Sequence, residues 1–158
     1  FKFRWAIEQS MRRSVQVIGE TERDFAERFG RSYGVAEEYR YEDADVVVIA
    51  MGTLGKEAEV AVDLLRNEGV KAGSLRIRWL RPFPQLDLSG REIVVIDRDY
   101  SFGRGGILAT EIVAQTREPV FSVIAGLGGQ EVTYEDIAAF VRKRRIGEEF
   151  WFGVNGNV

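Results

Sequence analysis

Histidine and cysteine are absent from all 158 residues, and proline occurs only three times. The chain therefore supplies no imidazole base, thiolate nucleophile or disulfide, and no cysteine-ligated iron–sulfur cluster or His/Cys zinc site. A formal net charge of −3 gives no general footprint for nucleic acid. No apolar run approaches the ~20 residues that a membrane helix needs. With 45% apolar and 30% charged residues, the composition is that of one soluble globular domain, and a cytoplasmic setting is expected. No charged-then-apolar leader follows Phe1, and the chain reads as a piece of a longer polypeptide.

The amino-terminal stretch differs from the rest. Ile7, Met11, Val15, Ile18, Phe25 and Phe29 recur at helical spacing with charges between them. Either one long helix stopping at Gly30, or two helices with a restart at Thr21 and Asp24 after Gly19, satisfies that pattern. Residues 31–45 are polar, poor in periodicity and linker-like.

From Val46 onward, strand and helix signals alternate. Residues 46–50, 93–96 and 120–124 are short apolar runs suited to strands covered on both faces. One helix between them places Ala58, Val62 and Leu65 on one side and ends at Gly69. A second places Leu108 and Ile112 together, beside Ala109 and Val113. Thr133 with Asp136 predicts a capping box opening a third, with Ile137, Phe140 and Val141 on one face. This order predicts a mostly parallel sheet with crossover helices, whose functional loops lie at the carboxyl ends of the strands. Residues 75–79 alternate instead, setting Arg76 and Arg78 opposite Leu75, Ile77 and Trp79. Two accounts stay open: a solvated edge strand, or a face that meets acidic groups of a partner. Pro82 and Pro84 then stop the strand and leave Phe83 displayed between them.

The candidate site is the glycine-rich stretch Asp97–Gly106 (DRDYSFGRGG), which joins an apolar strand to a helix. It fails the dinucleotide fingerprint, because Leu108 stands where a third glycine belongs after Gly103. The segment Gly52–Lys56 fails as a P-loop: Glu57 replaces the Ser or Thr that binds magnesium, and Ala50 the first glycine. What remains is Ser101, Phe102, Gly103, Arg104, Gly105 and Gly106, a set of backbone amides at a helix start with one arginine. Such a set suits either an anion cradle or a tight structural turn. Gly126–Gly129 has no adjacent basic side chain and reads as a turn. Asp97 and Asp99 occupy a position where an active site can lie, but Arg98 and Arg104 are expected to pair with them. Residues 142–145 (RKRR) close the last helix, where cations favour its dipole. Phe150, Trp151 and Phe152 are expected to dock on this domain or on a neighbour.

Five stretches in this order, MGTLG at 51–55, GVKAG at 69–73, RPFP at 81–84, DRDYSFGRGG at 97–106 and IAGLGGQEVT at 124–133, together resemble the second core domain of 2-oxoacid:ferredoxin oxidoreductases. Among these, the pyruvate:ferredoxin oxidoreductase α subunit is most similar. The likeness extends to the leading helix and the WFG of the tail. It implies an α/β, transketolase carboxyl-terminal-like three-layer domain: a mostly parallel sheet with an antiparallel edge strand, preceded by a long helical connector. The arginine-bearing strand fits that edge. Implied boundaries are a connector at 1–30 from an upstream domain, the α/β domain at 31–145 and an aromatic tail at 146–158.

The resemblance further implies an enzyme complex that oxidatively decarboxylates a 2-oxoacid to acyl-CoA and passes electrons to ferredoxin. Thiamine diphosphate with Mg, iron–sulfur clusters and coenzyme A serve the full complex. Implied partners are a thiamine-binding β subunit, a γ subunit, a ferredoxin-like δ subunit and ferredoxin, with neither nucleic acid nor membrane. Within it this domain is a non-catalytic scaffold and subunit interface, and Ser101, Phe102, Gly103 and Arg104 are the candidates for reaching a neighbouring domain or the active-site region. The alternatives are a corresponding domain of another thiamine enzyme, such as a 2-oxoacid dehydrogenase β subunit or transketolase, and a freestanding nucleotide- or CoA-binding module.

Overall fold

A computed structural model describes residues 1–154; the last four residues of the aromatic tail lie outside the described residues. One continuous helix, α1 (Lys2–Phe29), runs through Gly19 and Thr21 and ends at Gly30 in the left-handed conformation, so no restart occurs. No residue of α1 is fully buried. Its carboxyl end is held by Glu22, whose carboxylate accepts hydrogen bonds from the Ser32 hydroxyl and the Tyr33 and Gly34 amides.

Six strands follow: β1 (Ala36–Tyr39), β2 (Val46–Met51), β3 (Ala72–Ile77), β4 (Glu92–Asp97), β5 (Phe121–Ile124) and β6 (Glu149–Trp151). They form one sheet in the order β1-β3-β2-β4-β5-β6, with only β1 antiparallel to its neighbour. The helices are α2 (Gly52–Asn67), α3 (Ile107–Thr116) and α4 (Tyr134–Arg142). The period-2 alternation of the strands divides the core. Val46, Val48, Val94, Ile96 and Val123 pack under α2 and α4, and Val47, Ile49, Ile93 and Val95 pack under α3. Thr133 and Asp136 form the expected capping box of α4.

Three expectations need correction. Residues 31–45 are not merely a linker, because they contain β1; at four half-exposed residues this strand lacks a hydrophobic signature. The antiparallel edge strand is β1, not the arginine-bearing strand. β3 lies inside the sheet, and its arginines turn to β1, where Arg76 and Arg78 donate to Glu37 at 3.1 and 2.7 Å. The acidic partner is thus in the same chain. Phe83 is not displayed but packs, with Leu80 and Leu86, against the α3-side core where no helix covers β3.

Lys56 completes the Glu37 cluster at 2.9 Å. Its ammonium, with Arg78 and Arg76, holds the Glu37 carboxyl down at about 2, against the ordinary 4.5. A depressed acid stabilises the fold above its unfolded value and loses that contribution as pH falls through the folded one. Glu37→Gln is expected to cost about 1 kcal/mol at neutral pH, the scale of a half-exposed ion-pair network, and to flatten the stability curve between pH 4.5 and about 2. Urea titration at the two ends of that window checks both.

The connections explain an uncovered strip of sheet. The β4–α3–β5 and β5–α4–β6 crossovers step in the same direction across the sheet but on opposite faces, so their hands are opposite. The β2–α2–β3 crossover steps the other way on the α4 face and therefore shares its hand with α3. The α4 crossover has the rarer hand, and the α3-side surface over β5 and β6 is left without a helix.

Candidate functional site

The glycine-rich loop begins where β4 ends. Asp97 is 3% exposed, and its two carboxyl oxygens accept the Leu108 and Ala109 amides at 2.8 and 3.0 Å. Asp99 accepts the Ile107 amide at 3.2 Å. The helix start thus holds a carboxyl group, as a free amino end of a helix favours, but the group comes from the chain itself. Among the described residues neither aspartate forms an ion pair, which corrects the expected pairing with Arg98 and Arg104. Burial pushes the Asp97 carboxyl up to about 7; the Ala109 and Leu108 amides oppose the shift and Asp99 adds to it.

Gly106 is required by close approach. A Cβ there would fall 2.6 Å from Asp97 Cγ and 2.9 Å from its Cβ. Between Asp99 and Gly106 the chain makes a closed knob: the Ser101 amide donates to the Gly105 carbonyl at 2.9 Å, and the Arg104 and Gly105 amides donate to the Ser101 carbonyl at 2.9 and 3.1 Å. Three of the six amides from Ser101 to Gly106, those of Ser101, Arg104 and Gly105, are therefore engaged within the loop. At the tip, Phe102 is 96% exposed, Gly103 and Arg104 are exposed beside it, and the Arg104 guanidinium makes no ion pair among the described residues. Ser101 is exposed at the base of the knob.

The knob leans on the tail. Tyr100 contacts Phe102 and Trp151 edge to face, with centroids 5.9 and 4.6 Å apart. Gly105 sits against the Glu149 carboxylate, which also accepts the Trp151 indole N–H at 2.8 Å. Phe150 and Phe152 pack on Phe140. All three tail aromatics thus dock on this domain, and the tail supplies strand β6. The second glycine turn also differs from expectation. Arg98 lies against Gly126, and Gln130 links that turn to the tail by accepting the Gly126 amide at 3.1 Å and donating to the Phe152 carbonyl at 3.2 Å. The contacts of Arg98 with Gly126, of Gln130 with Phe152 and of Glu149 with Gly105 were not legible, because each joins residues 22 or more apart; only the Gln130–Gly126 bond is local, four residues apart.

Between the knob, α3 and β6 runs a groove of about 520 Å³ over the uncovered strip. Arg104 and Glu149 stand at its upper end, and Val113, Ala114, Pro119 and Val120 line its lower end. Ser122, 8% exposed on its floor, has a hydroxyl without a hydrogen-bond partner.

Chemically the site is poor. Asp97 is sealed beneath α3, and among the described residues of the loop and groove no hydroxyl is hydrogen-bonded to a carboxylate. Among the described residues no cluster of three His, Cys, Asp or Glu side chains is placed to hold a metal. The basic run at 142–145 is largely neutralised, by Arg142 with Glu68, Arg144 with Glu92 and Arg145 with Glu148. No helix among the described residues is long and apolar enough to cross a membrane.

The model of the family "Pyruvate:ferredoxin oxidoreductase core domain II" matches residues 44–137. Pyruvate synthase subunit PorA of Methanothermobacter thermautotrophicus is 37% identical over 96% of this chain and 42% of its own length. Ketoisovalerate oxidoreductase subunit VorA of Pyrococcus horikoshii is 41% identical over 88% of this chain and 38% of its own. The chain therefore spans about two fifths of these relatives. A 2-oxoglutarate:ferredoxin oxidoreductase from Magnetococcus marinus, solved with 2-oxoglutarate, coenzyme A and succinyl-CoA bound, superposes with a TM-score of 0.58 at 25% identity, covering 70% of this chain and 20% of that one. An inactive split-gene transketolase β4 tetramer shares the fold, with a TM-score of 0.55 at 21% identity over 72% of this chain and 43% of its own. The match through 44–137 and relatives 37% and 41% identical over 96% and 88% of the chain decide the matter: the chain belongs to the pyruvate:ferredoxin oxidoreductase core domain II family.

Proposed function

We propose that this chain is a non-catalytic interface domain in the α subunit of a pyruvate or other 2-oxoacid:ferredoxin oxidoreductase. That complex converts a 2-oxoacid to acyl-CoA with thiamine diphosphate, Mg, iron–sulfur clusters and coenzyme A, in the cytoplasm. The residues described do not fit those groups: there is no cysteine or histidine for a cluster, and the amides at the start of α3 are occupied by Asp97 and Asp99. Other subunits, a thiamine-binding β, a γ and a ferredoxin-like δ, hold them in this proposal, and ferredoxin takes the electrons. Residues 1–30 serve as the connector to an upstream domain, a role supported by the exposed stripe of α1. In this proposal residues 31–145 are the α/β body and 146–158 the tail, of which Glu149–Trp151 completes the sheet as β6.

One observation carries the interface role: the glycine-rich loop closes on itself as a knob that offers Phe102 and Arg104 outward, while the amides at the start of α3 are taken by Asp97 and Asp99. A loop held at its base and presenting at its tip an aromatic ring and an arginine unpaired among the described residues suits contact with another protein surface. The experiment is purification of the assembled complex from cells expressing the full-length subunit, with iron, thiamine and pyruvate-oxidation assays. A thiamine- and iron-containing, ferredoxin-reducing complex is the expected result. A subunit that purifies alone and binds nucleotide or CoA saturably would replace this reading with a binding module, and a complex with thiamine but no iron would move it to another thiamine enzyme. Arg104→Ala is expected to weaken assembly or turnover about tenfold, as an exposed interface arginine does, with the melting of the isolated chain unchanged.

A further inference from the structure

We infer that the cavity between the carboxyl half of α1 and the segment leaving β3 is a binding site for a small carboxylate with an aromatic or branched apolar body. The site is separate from the knob, at the other edge of the sheet.

The cavity measures about 330 Å³, the lower end of the range for small-molecule sites. Its walls come from two directions. α1 supplies Val17, Ile18 and Phe25, and the body supplies Tyr33 and Trp79. The gap between them follows from how α1 is fastened. Glu22 ties the helix to Ser32, Tyr33 and Gly34, and the Phe25 ring packs on Phe29 and Tyr33 with centroids 4.6 and 5.8 Å apart. On the amino-terminal side of that clasp the helix runs past Trp79 without burying any residue fully. Side chains that face the gap therefore stay wet: Val17 is 56%, Tyr33 51% and Trp79 43% exposed. Three aromatic rings and two branched side chains in one concavity offer apolar surface that a compact apolar body would remove from water.

Charge selects the head group. The Arg31 guanidinium lies over the Phe25 and Tyr33 rings, 5.6 and 5.7 Å from their centroids, and makes no ion pair among the described residues. Arg78 stands 5.1 Å from the Tyr33 centroid but is held by Glu37. A ligand cation would find the aromatic faces it needs already taken by guanidinium groups. An anion instead meets Arg31 with its donors free. The one carboxylate in the lining, Glu22, is engaged at the closed end by the Ser32 hydroxyl and the Tyr33 and Gly34 amides.

Position agrees with this. Trp79 and Gly34 flank the carboxyl end of β3, where Ile77 pairs with Ala36, and α/β sheets take their ligands at the carboxyl ends of parallel strands. A ligand seated there touches α1 and the body at once, and so fixes the angle at which α1 leaves the domain.

The probe is 3-phenylpropionate, with 3-phenylpropanol as its uncharged counterpart. Each is titrated into the full 158-residue chain and followed by calorimetry and tryptophan fluorescence. Saturable binding of the carboxylate with a Kd of roughly 0.1–1 mM is expected, the range open to so small a ligand, with the alcohol about fivefold weaker. Arg31→Ala is expected to weaken the carboxylate about fivefold, the upper range for an exposed ion pair, and to leave the alcohol unchanged. Thr21→Phe, which fills the cavity from α1, is expected to abolish both, and Trp79→Phe to remove the fluorescence change while calorimetry still reports binding. Thr21, Arg31 and Trp79 are exposed, so circular dichroism should be unchanged. Absence of saturable binding, equal binding of acid and alcohol, or binding indifferent to Thr21→Phe overturns the inference. So does binding by this chain that disappears in the full-length subunit, since the cavity would then be the seat of another part of the polypeptide. None of these results touches the oxidoreductase reading, which stands or falls on the cofactor and turnover assays of the assembled complex.

Discussion

Gly106→Ala is expected to lower the stability of the folded chain by about 3 kcal/mol, the upper range for forcing an atom into a packed site. Glycine's conformational freedom is not the cause, since Gly106 has φ −61 and ψ 139, values any residue adopts. The cause is contact: the new methyl would fall 2.6 Å from Asp97 Cγ. Asp97 has a short side chain and no slack, because both oxygens are tied to the Leu108 and Ala109 amides. Relief requires either breaking those bonds, at about 1–3 kcal/mol for each buried amide left unpaired, or lifting the first turn of α3 off the sheet. Gly103→Ala provides the contrast. A methyl there meets nothing within 4 Å, and only its φ of +72 opposes the change, so a loss of about 1 kcal/mol is expected. Urea midpoints of the two variants decide the matter; equal midpoints would mean that the loop yields around Gly106 and is not pinned by Asp97.

That pinning shows where the sequence was legible and where it was not. The central strands were readable because each is a continuous apolar run buried on both faces, and α4 because Thr133 and Asp136 satisfy each other locally. Strand β1 was hidden because its four residues form an edge paired on one side only, with Glu37 placed for charge and not for burial. The arginines of β3 were seen correctly as a charged face. Their partner was not, because Glu37 lies 39 residues from Arg76 and no local spacing encodes that meeting. The loop was recognised as an anion-suited helix start, yet what fills it, Asp97, sits within the same motif. Arg98 follows Asp97 at the strand's end and turns to the other side, against Gly126, while Arg104 sits at the exposed tip of the knob.

Between pH 4 and about 7 the stability of the chain is expected to fall as pH rises, and Asp97 is the reason. Its folded value lies near 7, against an ordinary 3.8, chiefly through burial, with Asp99 adding to the shift. Across that window the folded chain keeps a proton that the unfolded chain has lost, so ionisation must be forced on the folded state and works against folding. At 1.36 kcal/mol per unit, the whole span amounts to about 4 kcal/mol, and above pH 7 this contribution levels off. The slope is opposite in sign to that of Glu37, and the two windows overlap only near pH 4, so they can be resolved in one titration. Asp97→Asn is expected to remove the slope. Its amide oxygen can accept only one of the Leu108 and Ala109 amides well, so the variant should be less stable than the parent near pH 5. Near pH 8, where the parent carries a buried charge, the order should reverse. Chemical denaturation at those two values, with hydrogen exchange at Leu108 and Ala109, measures both the energy and the opening of the knob. If the parent is equally stable at both values, the helix start holds Asp97 as a full anion, and the two amides with the α3 dipole outweigh the cost of burial.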